Sequence, residues 1–171
     1  ITCDGVGEGE TMSIYTIDDD YKIKKIWTNF YPNSIGLLYS TITDYLGFEI
    51  NEGEFKVMSL SSFGKPIYEK ELKKIFDINN FTINMDYFEF HKSPIRSFSK
   101  KLCEVFGKPY LNINEETIFK KYADIACSAQ LILELTMKNL IQKAIELSGK
   151  KKIILTGGVA LNCKMIHNLS K

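Results

Sequence analysis

Residues 115–148 carry a sustained helical periodicity, and it limits the folds open to this chain. Ile118, Tyr122, Ile125, Ala129, Ile132, Leu133, Leu140 and Ala144 recur at spacings of three and four. That period predicts one long helix, with Asn114 to cap its start and Gly149 to end it. Its middle is apolar almost all round, so it has to be buried between other elements. A chain of 171 residues with 44% hydrophobic and 12% aromatic content can supply that cover, and intrinsic disorder is disfavoured.

Around this helix the pattern alternates between strand and helix signals. Residues 1–3 and Thr11–Ile17 read as strands, and Tyr21–Phe30 as a third that closes a hairpin across the Asp18-Asp19-Asp20 turn. The Asp run lacks the other offsets of a calcium loop and reads as a polar turn. Ser34–Leu46 has helical spacing with Ser34 as N-cap and Gly47 as terminator. Glu52–Ser61 and Glu69–Phe76 read as short helices, and residues 77–92 as one or two strands. Residues 93–113, with Pro94 and Pro109, read as mostly loop with a helical turn near Ser99–Phe106. Lys152–Leu155 reads as a buried strand, and Val159–Leu169 as a helix after the Thr156-Gly157-Gly158 turn.

Charge and cysteine usage exclude several function classes. Twenty-two basic residues against 21 acidic ones give a formal net charge of +1. That balance argues against a nucleic-acid binder or an acidic tail. Cys3, Cys103, Cys127 and Cys163 have neither C-x-x-C nor zinc-finger spacing, so the expectation is reduced, mostly buried thiols in a cytoplasmic protein. No window approaches the ~18 apolar residues of a membrane span, and no signal peptide is visible. The chain starts at Ile1 inside strand-like sequence and ends in helix-like sequence, so it reads as an excerpt of a longer protein.

Two glycine-rich turns carry the chemistry. Asp4-Gly5-Val6-Gly7-Glu8-Gly9 leads into the hairpin. Glycines there let a phosphate approach backbone N–H groups, and an Asp at a strand end can hold the accompanying divalent metal. Leu155-Thr156-Gly157-Gly158-Val159-Ala160-Leu161-Asn162 is a strand, a Gly-Gly turn and a helix start. Free N–H groups at such a start suit an anion or nucleotide, and Asn162 could reach a ribose or phosphate. Each turn alone also serves as a plain connector. Together they resemble the sugar-kinase/actin/Hsp70 superfamily, in which two phosphate-facing loops clamp ATP.

Four ordered segments sharpen this. Asp4-Gly5-Val6-Gly7-Glu8, Ser34-Ile35-Gly36-Leu37-Leu38-Tyr39-Ser40, Glu54–Leu60 running to Phe63-Gly64-Lys65-Pro66, and Ala123-Asp124-Ile125-Ala126 with Ala129-Gln130 and Glu134 precede Gly157–Asn162. They resemble the carbamoyltransferase family of nodulation protein U and the cephalosporin and tobramycin carbamoyltransferases. The resemblance implies an α/β, actin-like ATPase fold, with residues 1–171 as part of a threonylcarbamoyltransferase-like catalytic domain. Flanking parts and a second, carbamoyl-adenylate-forming domain would lie outside it.

The implied activity is O-carbamoyl transfer. Carbamoyl phosphate and ATP give carbamoyl-adenylate, whose carbamoyl group moves to a hydroxyl of a small metabolite. The implied cofactors are ATP and a divalent metal, Fe2+ or Mg2+/Mn2+. The implied partners are carbamoyl phosphate and the hydroxyl acceptor, with a homodimer possible in the parent. On the matching positions Asp4 would be catalytic and a metal ligand. Asp4, Gly5, Gly7, Gly157, Gly158 and Asn162 would bind the nucleotide, and Lys56 would act near phosphate or substrate. The family's other metal ligands, two histidines before the Asp-Gly turn and an Asp after the Gly-Gly helix, have no counterpart in these 171 residues. His91 and His167 match neither. Cys3 and Cys163 read as small buried apolar residues rather than nucleophiles. The alternatives are a catalytically silent nucleotide-binding homologue or scaffold, or another actin-fold ATPase such as a sugar kinase.

Overall fold

A computed structural model describes residues 1–93, 95–109 and 116–170. Pro94, the loop over 110–113 and the Asn114 cap lie outside the described residues. The architecture is mixed α/β. Strands β1 (Thr2–Gly7), β2 (Glu10–Ile17) and β3 (Ile23–Phe30) form an antiparallel sheet in that order. Met12 and Ile14 of β2 are buried, and so are the polar Thr11 and Ser13 that alternate with them. Buried hydroxyls need partners. Ser13 and Thr28 pair across the strands at 2.8 Å, and Thr11 donates to the Asn33 carbonyl at 2.6 Å. The Asp18 carboxylate accepts the N–H groups of Asp20 and Lys22, so the acidic run closes its own turn.

Helix α1 (Ile35–Tyr45) starts at Ser34, whose hydroxyl accepts the Leu37 N–H at 3.0 Å. Helix α2 (Glu54–Leu60) continues into a 3-10 turn at Ser61–Phe63, and α3 (Glu69–Ile75) follows. The alternating stretch expected over 77–92 is shorter in β content. Strands β4 (Phe76–Asp77) and β5 (Thr82–Ile83) pair, then a 3-10 turn forms at Met85–Tyr87. Asp77 accepts from the backbone of Asn79 and Asn80, and Asn84 from Asp86, so short polar side chains take the backbone out of the ladder. Helix α4 (Lys100–Phe106) packs its Phe106 against Tyr45 and Tyr68.

Helix α5 (Glu116–Ser148) spans 33 residues, about 50 Å at 1.5 Å per residue. From Tyr122 to Leu133 it is buried or half-buried at every position, as its apolar middle requires. Helices α1, α2 and α3 pack along it, and the Lys143 ammonium stands 5.2 Å from the Trp27 ring centre, tying its far half to β3.

Two expectations near the C-terminal end are corrected. Lys152–Leu155 is neither a ladder strand nor buried: Ile154 is 69% exposed, and a parallel bridge joins Thr2 to Thr156. Backbone bonds from Ile1 to the Ile154 carbonyl, from Thr156 to the Ile1 carbonyl and from Cys3 to the Thr156 carbonyl tie the end of this segment to the start of β1. Val159–Leu169 is not one helix. A 3-10 turn at Gly158–Leu161 is followed by α6 (Cys163–Leu169), with Asn162 between them as the N-cap of α6. Its carboxamide oxygen accepts the Met165 N–H at 2.9 Å, the competition with helical bonding that Asn introduces. No helix among the described residues is long and apolar enough to cross a membrane.

Candidate functional site

The hairpin turn itself is Glu8-Gly9, with φ of 47° and 92°; Asp4, Gly5 and Gly7 belong to β1. The strand is irregular there. Cys3 faces Met12 and Gly7 faces Glu10, so four residue steps on β1 span two on β2. Such a bulge bends the strand and re-aims its side chains. It leaves Asp4 exposed, with Oδ1 accepting the Gly5 N–H at 2.8 Å.

Two other backbones close on this point. The Ser34 hydroxyl that caps α1 also donates to the Asp4 carbonyl at 3.0 Å. A Cβ on Gly36 would lie 2.8 Å from the Gly5 nitrogen and 2.9 Å from the Asp4 carbonyl oxygen, so a glycine is required where α1 crosses β1. From the other side, Gly157 has φ +95°, and a Cβ there would overlap the Cys3 carbonyl. The Cys3 N–H donates to the Thr156 carbonyl at 2.9 Å, which holds the two segments together. Gly158 then stands beside the Asp4 carboxylate. The two glycine-rich turns of the sequence therefore meet, with α1 wedged against the first.

A cavity of about 660 Å³ opens beside this junction. Asp4, Gly5, Tyr39, Glu54, Phe55, Met58, Gly158 and Asn162 are among its lining residues. Gly7 and Gly157 do not line it: Gly7 pairs with Glu10 in the hairpin, and Gly157 supports Gly158 from behind. Lys56 is not brought to the junction. It is exposed on α2, with its ammonium 5.7 Å from the Phe48 ring centre and 5.8 Å from that of Phe55. Among the described residues no group of three or more His, Cys, Asp or Glu side chains gathers into a metal centre; Asp4, Glu52 and Glu54 are carboxylates of the cavity lining.

The cavity wall is braced by a buried polar network whose members, Gln130, Glu134 and Asn162, stood apart in the sequence and were not joined by it. Gln130, 2% exposed on α5, accepts from the Tyr39 hydroxyl at 2.9 Å and from Asn162 Nδ2 at 2.9 Å. It donates to Glu134 at 2.8 Å and to Asn162 Oδ1 at 3.0 Å. Burial lifts the Tyr39 phenol well above its ordinary range; a hydrogen bond from Asn162 works against this, and the charges of Glu54 and Glu134 add to it. Cys3 lies under the bulge, and burial with the Asp4 charge pushes its thiol up to about 12. It is a buried, inert thiol. Cys163 is exposed rather than buried, with its sulfur 3.7 Å from that of Met58.

A second brace joins two of the sequence segments. Gly64 presses its backbone onto Ala123 so closely that a Cβ would overlap the Ala123 carbonyl. The buried Asp124 carboxylate accepts the Lys65 N–H at 2.7 Å, and the Ser128 hydroxyl accepts the Tyr68 N–H at 3.1 Å. Gly-Lys-Pro and Ala-Asp are thus two sides of one contact. Ser34 was readable in the sequence as a cap, and Gly36 and Asp124 only as members of the family segments; the partners of Ser34 and Asp124, 30 and 59 residues away, were not readable.

Comparison with known proteins agrees with this reading of the segments. Residues 1–171 match the family described as Carbamoyltransferase N-terminus, and the chain belongs to that family. It is 35% identical over 164 residues to the uncharacterized protein sll1178 of Synechocystis sp., an alignment covering 94% of this chain and 26% of that protein. It is 27% identical over 169 residues to nodulation protein NolNO of Sinorhizobium fredii, covering 96% of this chain and 23% of the relative. Nodulation protein NolO of Bradyrhizobium diazoefficiens is 26% identical over 137 residues, covering 78% and 22%. The chain thus spans about a quarter of the length of these relatives.

Proposed function

We propose that this chain is part of the catalytic domain of an O-carbamoyltransferase with an actin-like ATPase fold. The parent protein would use ATP, carbamoyl phosphate and water to make carbamoyl-adenylate with release of phosphate and pyrophosphate, then pass the carbamoyl group to a hydroxyl of a small metabolite with AMP as the leaving group. The observation that carries this reading is the meeting of Asp4-Gly5 with Gly157-Gly158 at the rim of a cavity, in a chain of the carbamoyltransferase family.

The residues suit a nucleotide. Gly5, which lines the cavity, has open space where a Cβ would stand, the clearance a phosphate needs to approach backbone N–H groups, while Gly36 lets α1 pack directly on the Asp4-Gly5 backbone. Asp4 and Glu54 in the lining would repel bare phosphates, so a divalent cation between carboxylate and phosphate fits the site's charge. Asp4 would be one ligand of that ion, and the remaining ligands would come from outside the described residues. Such an ion would neutralise phosphate charge. Gly5, Gly158 and the wall behind them would orient the nucleotide. Gly7, Gly157 and Asn162 would act on that geometry from one step back. Lys56, on the neighbouring helix, would serve at the rim.

An adenylate is what the acceptor chemistry calls for. A neutral hydroxyl is a weak nucleophile, and a carbamoyl carbon bonded to a good leaving group lowers the demand on it. Charge developing on the carbonyl oxygen would be met by backbone N–H groups. The test is made on the full-length protein that contains this chain, supplied with ATP, a divalent metal salt and carbamoyl phosphate. The expected result is AMP and pyrophosphate formation that depends on carbamoyl phosphate. Conversion of ATP to ADP alone, independent of carbamoyl phosphate, contradicts it.

A further inference from the structure

We infer that Gln130 is a positioning residue that acts through Asn162 to set the Gly157–Asn162 turn for nucleotide binding, and that the Asn162 side chain is part of the scaffold rather than a ligand contact. The inference rests on the cleft binding a nucleotide, as proposed above, and goes beyond it in assigning these two roles.

The hydrogen-bond inventory carries it. A carboxamide offers two N–H donors and an oxygen that accepts two bonds. Gln130 uses all four: Tyr39 Oη and Asn162 Nδ2 reach its oxygen, and its nitrogen reaches Glu134 and Asn162 Oδ1. Asn162 uses three: its oxygen accepts from Gln130 and from the Met165 N–H, and its nitrogen donates to Gln130. Two amides joined by paired bonds fix each other's orientation, since turning either one over sets oxygen against oxygen and nitrogen against nitrogen. With Asn162 so held, the backbone from Gly158 to Asn162 has one end fixed by the amide pair. Gly157 against Cys3 fixes the other. Gln130 is also 2% exposed, in the buried middle of α5, so its side chain has little room to move.

The network has a stated direction. Glu134 takes a bond from Gln130 on one oxygen and from Asn168 on the other, which ties α6 to α5 beyond the cap. Loss of the amide pair therefore frees the turn while leaving α6 anchored to α5 through Asn168.

The experiment uses the full-length protein with three variants: Gln130→Met, of similar volume without an amide; Asn162→Ser, which keeps a capping oxygen; and the double substitution. Binding of the analogue adenosine 5′-(α,β-methylene)triphosphate, whose α–β bond cannot be cleaved, is measured by calorimetry, and amide hydrogen exchange by mass spectrometry. Each single variant is expected to weaken analogue binding about tenfold, the scale of one or two lost hydrogen bonds, and the double variant by no more than about twofold further. Exchange over 157–163 should speed up in Gln130→Met while the centre of α5 stays protected. In carbamoyl-phosphate-dependent AMP formation, KM for ATP should rise about tenfold with kcat within about twofold. Unchanged analogue affinity in Gln130→Met, unchanged exchange over 157–163, or additive losses in the double variant each overturn the inference. A wild-type protein that binds the analogue but forms no AMP contradicts the proposed activity alone, and binding and exchange then still decide the role of Gln130.

Discussion

Asp4 and Gly158 stand against each other across the cleft: a Cβ on residue 158 would lie 3.0 Å from Asp4 Oδ1. The two residues come from opposite ends of the chain. What joins them is backbone geometry, the bulge that turns β1 at Asp4 and the left-handed Gly157 that lets the second turn ride on Cys3. Each glycine has a different job, and substitutions separate the two.

Gly157→Ala forces a side chain into a backbone with φ +95° and into the Cys3 carbonyl. The expected cost is about 2–4 kcal/mol of stability, read by urea denaturation. Gly158→Ala meets one carboxylate oxygen and open space. It should change stability by under about 1 kcal/mol while weakening binding of the α,β-methylene analogue at least about tenfold. Wild-type affinity in a folded Gly158→Ala protein would remove this glycine from the nucleotide site.

The contact between Gly64-Lys65 and α5 depends on one buried acid. Asp124→Ala leaves the Lys65 N–H without its 2.7 Å acceptor and is expected to destabilise the fold by about 1–3 kcal/mol. Asp124→Asn keeps an acceptor oxygen and should recover at least half of that loss. Equal losses in the two variants would mean that the Lys120–Asp124 ion pair, rather than the hydrogen bond, carries the contact.

How legible was this in the sequence? Local devices read well. The period-3.6 pattern of 122–144 becomes α5, and the Ser34 cap and the Asp18–Asp20 turn form as their side chains dictate. Elements whose state depends on neighbours read poorly. Lys152–Leu155 has the apolar character of a buried strand, yet its end is tied to the start of β1 while Ile154 stays exposed. The Asp4–Gly9 segment carries three glycines, and composition could not say that the turn takes Glu8-Gly9 while Gly5 and Gly7 stay in the strand. Asn162 reads as a residue that could reach a ribose or phosphate, but the partner that engages it, Gln130, is 32 residues away and reads only as a member of a family segment. The family segments, by contrast, were recognisable because their order survives whatever the contacts are.

Alkaline pH should destabilise the protein, and the direction follows from buried acids. Cys3 is held protonated, with its thiol pushed up to about 12 from an ordinary 9, and burial raises Tyr39 and Tyr45 in the same direction. The unfolded chain releases these protons first, so the native state binds more protons above pH 9. Stability from these groups is fully present below that pH and falls as pH climbs toward 12. Thermal melts at pH 8, 9 and 10 should give a descending series at the alkaline end. A thiol reagent should label Cys163 rapidly and Cys3 only on unfolding. Fast labelling of Cys3 in the native protein would show that the β1 bulge opens.

The most direct test of the central claim sets the wild-type full-length protein beside its Asp4→Ala variant, with ATP, a divalent metal salt and carbon-labelled carbamoyl phosphate. Asp4 is exposed and its side chain bonds to the neighbouring Gly5 N–H, so the variant should fold with a melting temperature within a few degrees of wild type. The account predicts carbamoyl-phosphate-dependent AMP formation and label transfer to a hydroxyl acceptor in the wild type, with a loss of at least about 100-fold in the variant. Wild-type rates in the folded Asp4→Ala protein would contradict it.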